Sequence, residues 1–304
     1  SSGSELRYSQ LVISTGVTTD FSGVKGLNEY AFGFSNLSDL EKIKKLINKI
    51  NTFREYDDPL FVSGAGPTGV ELACKLSDLF DNKLDIYLIE KGNKILPFCK
   101  SFNREKAIES LGNRNIKIYL EHSIRSIDNN YIRLSRVDDN TNKFQTITYS
   151  ALIWTAVSKC NSSNLLHHFL SGKKKIKVNN FLQINGYQNI FFIGDMTFNE
   201  NTFFPSSAQS AMQQGFLTAK NISSIRSGDK LKAFEFVDRG EMLSLGIGNA
   251  SLTGYGLTMA GPLAFEIRRL AYLIRMPGFY LSYKSTGSWL FSKKLINRFF
   301  FQDP

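Results

Sequence analysis

The chain reads Gly64-Ala65-Gly66-Pro67-Thr68-Gly69 between two apolar runs, and this glycine spacing is its first feature able to do chemistry. Glycine at Gly64 permits a tight turn, glycine at Gly66 lets backbone approach a pyrophosphate, and glycine at Gly69 lets the following helix pack closely on the preceding strand. A helix opening here, with Pro67 and Thr68 in its first turn, presents free N–H groups and partial positive charge to phosphate. Context sharpens a pattern that many chains match by chance. Leu60 to Ser63 reads as a strand entering the loop, Thr68 to Phe80 as a helix burying Val70, Leu72, Ala73, Leu76 and Phe80, and Asp85 to Ile89 as a second strand. Glu90 closes that strand 21 residues after Gly69, near the ~20 at which an acid accepts hydrogen bonds from an adenosine ribose. Its charge would repel a 2′-phosphate and favour NADH over NADPH, although Lys91 beside it pulls the other way. The plain alternatives are a glycine turn without ligand and a solvated acid at a strand end. Glu71 is a further candidate for the same site, with complementation of the helix dipole as its alternative.

Two more segments carry candidate chemistry. Ile190 to Ile193 reads as a strand ending in Gly194-Asp195, which puts an acceptor at the carboxyl end of a sheet, where α/β proteins hold ligands. A helix from about Ser206 to Ser224 follows, on which Gln209 and Gln213 are i, i+4 neighbours; neutral amides there can bind a ligand without adding charge, or serve only solubility. Around these, Tyr8 to Ser14 forms a strand stopped by Thr15-Gly16, Leu37 to Ile50 a helix, Phe102 to Leu111 a helix and Ile116 to Leu120 a strand. A hairpin turns at Asn129-Asn130, and strands run over Thr146 to Tyr149 and Leu152 to Thr155.

Length and composition bound the rest. At 304 residues, 42% hydrophobic and 21% charged, the chain is globular with about two domains, and its net charge of +10 favours an acidic partner or surface. No stretch reaches the ~18 to 20 apolar residues of a membrane span. Cys74, Cys99 and Cys160 show no metal or disulfide spacing, which fits a reducing compartment and no metal. His122, His167 and His168 read as loop or strand-end residues. The start, Ser-Ser-Gly-Ser running at once into a strand, suggests a fragment. From Arg268 onward seven positive residues meet one acid, Asp303, interleaved with Tyr272, Phe279, Tyr280, Tyr283, Trp289, Phe291 and Phe299 to Phe301. That combination suits an anionic membrane interface, with core packing as the alternative, and no nucleic-acid motif accompanies it.

In order and spacing, LVISTG at Leu11 to Gly16, GAGPTGVELA at Gly64 to Ala73, IFFIGD at Ile190 to Asp195 and AQSAMQQG at Ala208 to Gly215 resemble the two-dinucleotide flavoproteins. More narrowly they resemble the type II NADH dehydrogenases, including the cyanobacterial and plastid enzymes. The resemblance implies an α/β fold of two Rossmann-like three-layer domains plus a C-terminal membrane-interface segment. It places the first part of an FAD domain at 1–56, an NADH domain at 57–155, the second part of the FAD domain at 156–229 and a quinone and membrane region at 230–304. It implies hydride transfer from NADH to FAD and then two electrons to a membrane quinone. Thr15 and Gly16 would form the turn re-entering the FAD domain, Gly194 and Asp195 the ribityl acceptor, and Ala208, Gln209, Gln213 and Gln214 the flavin and quinone environment. The family's first glycine-rich βαβ belongs ahead of Leu11, where only Ser1 to Arg7 stand, so the FAD domain is expected to be incomplete. Val157 replaces a glycine of the family's W-T-A-G, with Cys160 near a proline position. Peripheral attachment to the cytoplasmic face of a thylakoid or plasma membrane and a homodimer are further implications. A non-catalytic nucleotide-binding remnant and a sulfide:quinone oxidoreductase-like flavoprotein are the competing readings.

Overall fold

The computed structural model describes residues 5–54, 56–139, 143–160, 169–171, 175–276 and 278–290. The chain divides into two compact units, each discontinuous in sequence: residues 1–64 with 122–238, and residues 65–121 with 239–304.

The first unit contains β1 (Leu11–Ile13), β2 (Val17–Thr19), α1 (Leu27–Tyr30), β3 (Ala31–Phe32), α2 (Leu37–Phe53) and β4 (Leu60–Ser63). After the interruption come β7 (His122–Ile127), β8 (Tyr131–Arg136), β9 (Gln145–Thr148), β10 (Ala151–Trp154), β11 (Ser158–Cys160), β12 (Leu170–Ser171), β13 (Lys175–Lys177), β14 (Ile190–Phe192), β15 (Thr197–Phe198) and α5 (Ala208–Ser227). Strand β10 pairs in parallel with both β3 and β4, and its ALIW run is buried throughout, as a strand covered on both faces requires. Strands β1 and β14 also pair in parallel, Leu11 opposite Ile190 and Ile13 opposite Phe192. Ile176, Val178, Leu182, Phe192, Met196, Phe204 and Phe234 pack into one core, with Phe204 and Phe234 edge to face. The hairpin turns at Asn129-Asn130 because the Asp128 carboxylate accepts the N–H groups of Asn130 and Tyr131.

The second unit contains α3 (Pro67–Leu79), β5 (Ile86–Ile89), α4 (Ser101–Gly112) and β6 (Lys117–Tyr119), then β16 (Glu241–Ser244), β17 (Ala250–Gly254), β18 (Leu257–Gly261), α6 (Pro262–Ile274) and α7 (Phe279–Leu290). Strands β5 and β6 pair in parallel, while β16, β17 and β18 form an antiparallel meander that the sequence reading did not separate from its glycine-rich background. Fully buried Asn103 ties α4 to this meander by accepting the Thr253 hydroxyl and donating to Glu241 at 2.9 Å.

These units cut the chain at 64/65 and 121/122, whereas the expected domains meet at 56/57 and 155/156. The strands explain the difference. β10 joins β3 of the early chain as well as β4, and the β7 end of the meander 122–148 is held to the early chain, where the Ile127 N–H donates to the Lys25 carbonyl at 2.9 Å.

Candidate functional site

The glycine loop departs from ordinary backbone at one position and from ordinary packing at another. Gly64 lies at φ +100°, and a Cβ there would stand 2.8 Å from the Ala156 Cα, so no side chain fits. Gly66 is extended, and a Cβ on it would meet nothing within 4 Å. What Gly66 supplies is therefore open space beside the start of α3. That helix has Pro67 at its first position, no side-chain cap and no acid in its first turn. Its leading N–H groups and the positive end of its dipole are left for an anion. Thr68 is exposed there, and Gly69 is buried against the unit.

Glu90 holds this loop. One carboxylate oxygen accepts the Ala65 N–H and the other the Gly92 N–H, both at 2.8 Å. Each oxygen has a second lone pair, so a ribose hydroxyl fits the remaining capacity. Glu71 has other partners. It sits beyond the first turn of α3, accepts the Ser244 N–H at 2.9 Å and pairs with Arg268 at 3.2 Å, with both side chains largely buried. Its hydrogen bonds go to Ser244 of β16 and Arg268 of α6, and because it lies past the first turn the alternative role of complementing the helix dipole does not apply. Of the terminal cations, Arg268 is thus engaged inward, and Arg269 faces Glu266 at 3.6 Å.

In the first unit a cavity of about 230 Å³ opens at the carboxyl ends of β1 and β14, lined by Ser14, Gly16, Ile193, Gly194, Asp195 and Ala211. Ligands of α/β proteins bind at such strand ends. Gly16 and Gly194 both have positive φ, +68° and +85°, so the two turns at the cavity mouth need glycine. Thr15, between the lining residues Ser14 and Gly16, donates to the Met196 sulfur at 3.7 Å. Burial pushes the Asp195 carboxyl above its ordinary range, and Lys175 opposes that shift. A half-buried acceptor beside open space fits the hydroxyls of a flavin side chain. Ser14 lies in the turn and Ala211 in the helix start that the family resemblance implied, whereas Ile193 was absent from the sequence-based site, because an apolar strand residue carries no chemical signal of its own.

The three glutamines separate. Gln214 is buried and accepts the Gly194 N–H at 2.6 Å while donating to the Ser210 hydroxyl at 3.3 Å. Gln213 makes a reciprocal pair with one peptide: its amide donates to the Val237 carbonyl at 2.8 Å and accepts the Val237 N–H at 3.0 Å. Asn221, two turns along α5, treats Lys232 in the same way, both bonds at 2.9 Å. These two amides strap the segment 230–238 along the helix, a task that residue type alone did not reveal. Gln209 accepts from Gln213 at 3.4 Å, confirming the shared face, and Ala208 opens the helix at an exposed position.

All three cysteines are free, and burial pushes the Cys74 thiol to about 11, Cys99 to about 12 and Cys160 upward as well. Thiols so protonated do not serve as ready nucleophiles at neutral pH. Val157 points partly to solvent. His167, His168, Phe291, Lys293, Lys294, Arg298 and Phe299 to Phe301 lie outside the described residues, as do the side chains of Phe279 and Trp289. Among the described residues no cluster is placed to hold a metal and no helix is long and apolar enough to cross a membrane.

Parallel strands with a glycine loop at an uncapped helix, and a second parallel pair ending in Gly-Asp, define a dinucleotide-binding α/β protein. The family model described as pyridine nucleotide-disulphide oxidoreductase matches residues 1–215. Demethylphylloquinone reductase NdbB of Synechocystis sp. is 32% identical over 90% of this chain and 67% of its own length. Type II NADH:quinone oxidoreductase of Staphylococcus aureus is 30% identical over 84% of this chain and 66% of its own length. The chain therefore spans about two thirds of the length of these relatives. The solved structure of NDH2 from Plasmodium falciparum in complex with NADH shares the fold, at a TM-score of 0.82 and 17% identity, covering 97% of this chain and 78% of that one. The chain belongs to the pyridine nucleotide-disulphide oxidoreductases, in the branch of the type II NADH:quinone oxidoreductases.

Proposed function

We propose that this chain carries out FAD-dependent NADH:quinone oxidoreduction. The observation that carries the reading is the half-buried Asp195 in a 230 Å³ cavity at the ends of two parallel strands, in a chain that also holds an uncapped glycine loop. The bare N-terminus of α3, with Gly64, Ala65, Gly66, Pro67, Thr68 and Gly69, binds the pyrophosphate of NADH, and Glu90 accepts the ribose hydroxyls while keeping the loop in shape. Glu71 contributes to this site through α3, which it anchors. Thr15, Gly16, Gly194 and Asp195 hold the flavin side chain, Asp195 as acceptor for a ribityl hydroxyl. Flavin, when bound, supplies hydride acceptance from reduced nicotinamide and two-electron delivery to a quinone. Ala208, Gln209, Gln213 and Gln214 belong to the flavin and quinone environment. Residues 57–155 serve the nicotinamide nucleotide, 1–56 and 156–229 the flavin, and 230–304 the quinone and the membrane.

Attachment to a membrane surface is part of the same reading. Leu263, Ile267, Leu270 and Ile274 recur at helical spacing along α6, all exposed, Leu263 at 63% and Ile274 at 76%. Such a stripe suits the interfacial plane of a bilayer, with Arg275 and Lys284 toward anionic lipid at the cytoplasmic face of a thylakoid or plasma membrane. Assembly as a homodimer completes the picture. The test is oxidation of NADH by a soluble quinone in the presence of the chain and added FAD: turnover that requires both is expected, and its absence overturns the reading. Sedimentation with anionic vesicles should fall with added salt without vanishing, because the apolar stripe is not screened.

A further inference from the structure

The turn that carries Asp195 is fixed from both sides of a single glycine. The Gly194 carbonyl accepts the Thr197 N–H at 3.1 Å and the Thr197 hydroxyl at 2.8 Å. The Gly194 N–H is taken at 2.6 Å by Gln214, whose amide is held in turn by the Ser210 hydroxyl. Gln214, Ser210 and Thr197 are all buried, so these bonds are shielded from water that would otherwise substitute for them. Gly194 adopts a positive φ, and the next side chain is the carboxylate lining the cavity. The orientation of Asp195 is thus set by the two peptide groups of Gly194, and Gln214 is the side chain that reaches one of them from α5.

We infer that Gln214 is a positioning residue for the flavin side chain: it acts through the Gly194 peptide to aim Asp195 into the cavity, and does not itself touch the ligand. This rests on the reading that the cavity takes FAD. Three features support the assignment. An amide is neutral, so it braces the turn without adding a second negative charge beside Asp195. Its oxygen is the acceptor that the Gly194 N–H requires, which no aliphatic side chain of similar length offers. And Ala211, three residues earlier on the same helix face, lines the cavity directly, which leaves the small residue against the ligand space and the longer one beneath the turn.

The experiment is a titration of the full chain with FAD, followed by quenching of flavin fluorescence, with NADH affinity and the urea unfolding midpoint measured on the same samples. Gln214→Met keeps length and volume but leaves the Gly194 N–H without an acceptor, and should weaken FAD binding by roughly 10- to 100-fold, the range for orphaning one shielded donor. Gln214→Glu retains an oxygen of the same reach but adds the charge that the amide avoids, so it should lose clearly less affinity than Gln214→Met without reaching the parent. Ser210→Ala, which frees only the second anchor of the amide, should fall between them. NADH affinity should stay constant across the series. Equal FAD affinity in Gln214→Met and parent, with the parent binding FAD, overturns the role of Gln214 while leaving the flavin reading intact. A parallel loss in Gln214→Met and Gln214→Glu, or a loss of NADH binding with it, makes Gln214 a general packing residue and also overturns it. A parent that binds no FAD removes the reading on which the inference rests.

Discussion

The helices α3 and α5 complete their first turns in opposite ways. At α5 the Ser207 hydroxyl accepts the Ser210 N–H at 3.2 Å, so the helix satisfies itself. At α3 the corresponding position is Gly66, with no side chain and open space beside it. Both glycine turns are braced by a side-chain oxygen, Gln214 on the Gly194 N–H and Glu90 on the Ala65 N–H. The braces are alike; the caps are not. The start of α3 keeps its backbone N–H groups open to an anion, whereas the start of α5 spends one of its own on Ser207.

The strongest way to break this contrast is to close the open start. Gly66→Val places a side chain in the empty volume at a backbone conformation valine tolerates, so the fold should persist while NADH affinity drops on the order of 100-fold by isothermal titration. Equal affinity in the two chains would remove the loop from the nucleotide site. A smaller effect is expected from the brace. Glu90→Gln keeps one acceptor oxygen and turns an NH2 toward the other backbone N–H, so one of the two bonds is lost at a cost of about 1 to 3 kcal/mol, which should weaken NADH on the order of tenfold and narrow its advantage over NADPH. If the parent already prefers NADPH, Lys91 governs the choice. The capped helix should respond in stability alone: Ser207→Ala is expected to lower unfolding free energy by about 1 kcal/mol with NADH affinity unchanged.

The last expected effect is the smallest and has a sign fixed by burial. The Asp195 carboxyl is raised in the folded chain, so its ionisation opposes folding: the penalty is absent below the ordinary carboxylate range and present once pH has risen through the raised value. Asp195→Asn should therefore be as stable as the parent or slightly more stable at pH 7, with the difference closing as pH falls, even as FAD affinity decreases. Denaturant midpoints across acid and neutral pH check this. A parent more stable than the variant at neutral pH would mean that Lys175 outweighs burial.

Local features of this contrast were legible in the sequence. Glycine spacing, the strand before it and the acid after it located the turn and the start of α3, because each acts on neighbours within one βαβ segment. The hairpin at Asn129-Asn130 was legible for the same reason: Asp128 bonds to residues two and three places on. Long-range partners were not. Glu71 meets Ser244 173 residues away, and Gln213 meets Val237 in a segment with no helical or strand period to announce it. The meander β16 to β18 was hidden by its glycines, among them Gly254 and Gly261, which interrupt the alternation that marks a half-buried strand.

The Glu71–Arg268 pair also has a consequence for the birth of the protein. The two residues are 197 positions apart, so at the ~5 to 20 residues per second of synthesis roughly 10 to 40 s pass between their emergence. During that interval α3 is made but its acid has no cation, and β16, which donates the Ser244 N–H to the same carboxylate, does not yet exist. The segment 65–121 must wait, partly assembled, while the whole second part of the other unit is translated. A chain cut short before α6 would leave Glu71 permanently in that state, and such products should be soft targets for proteases.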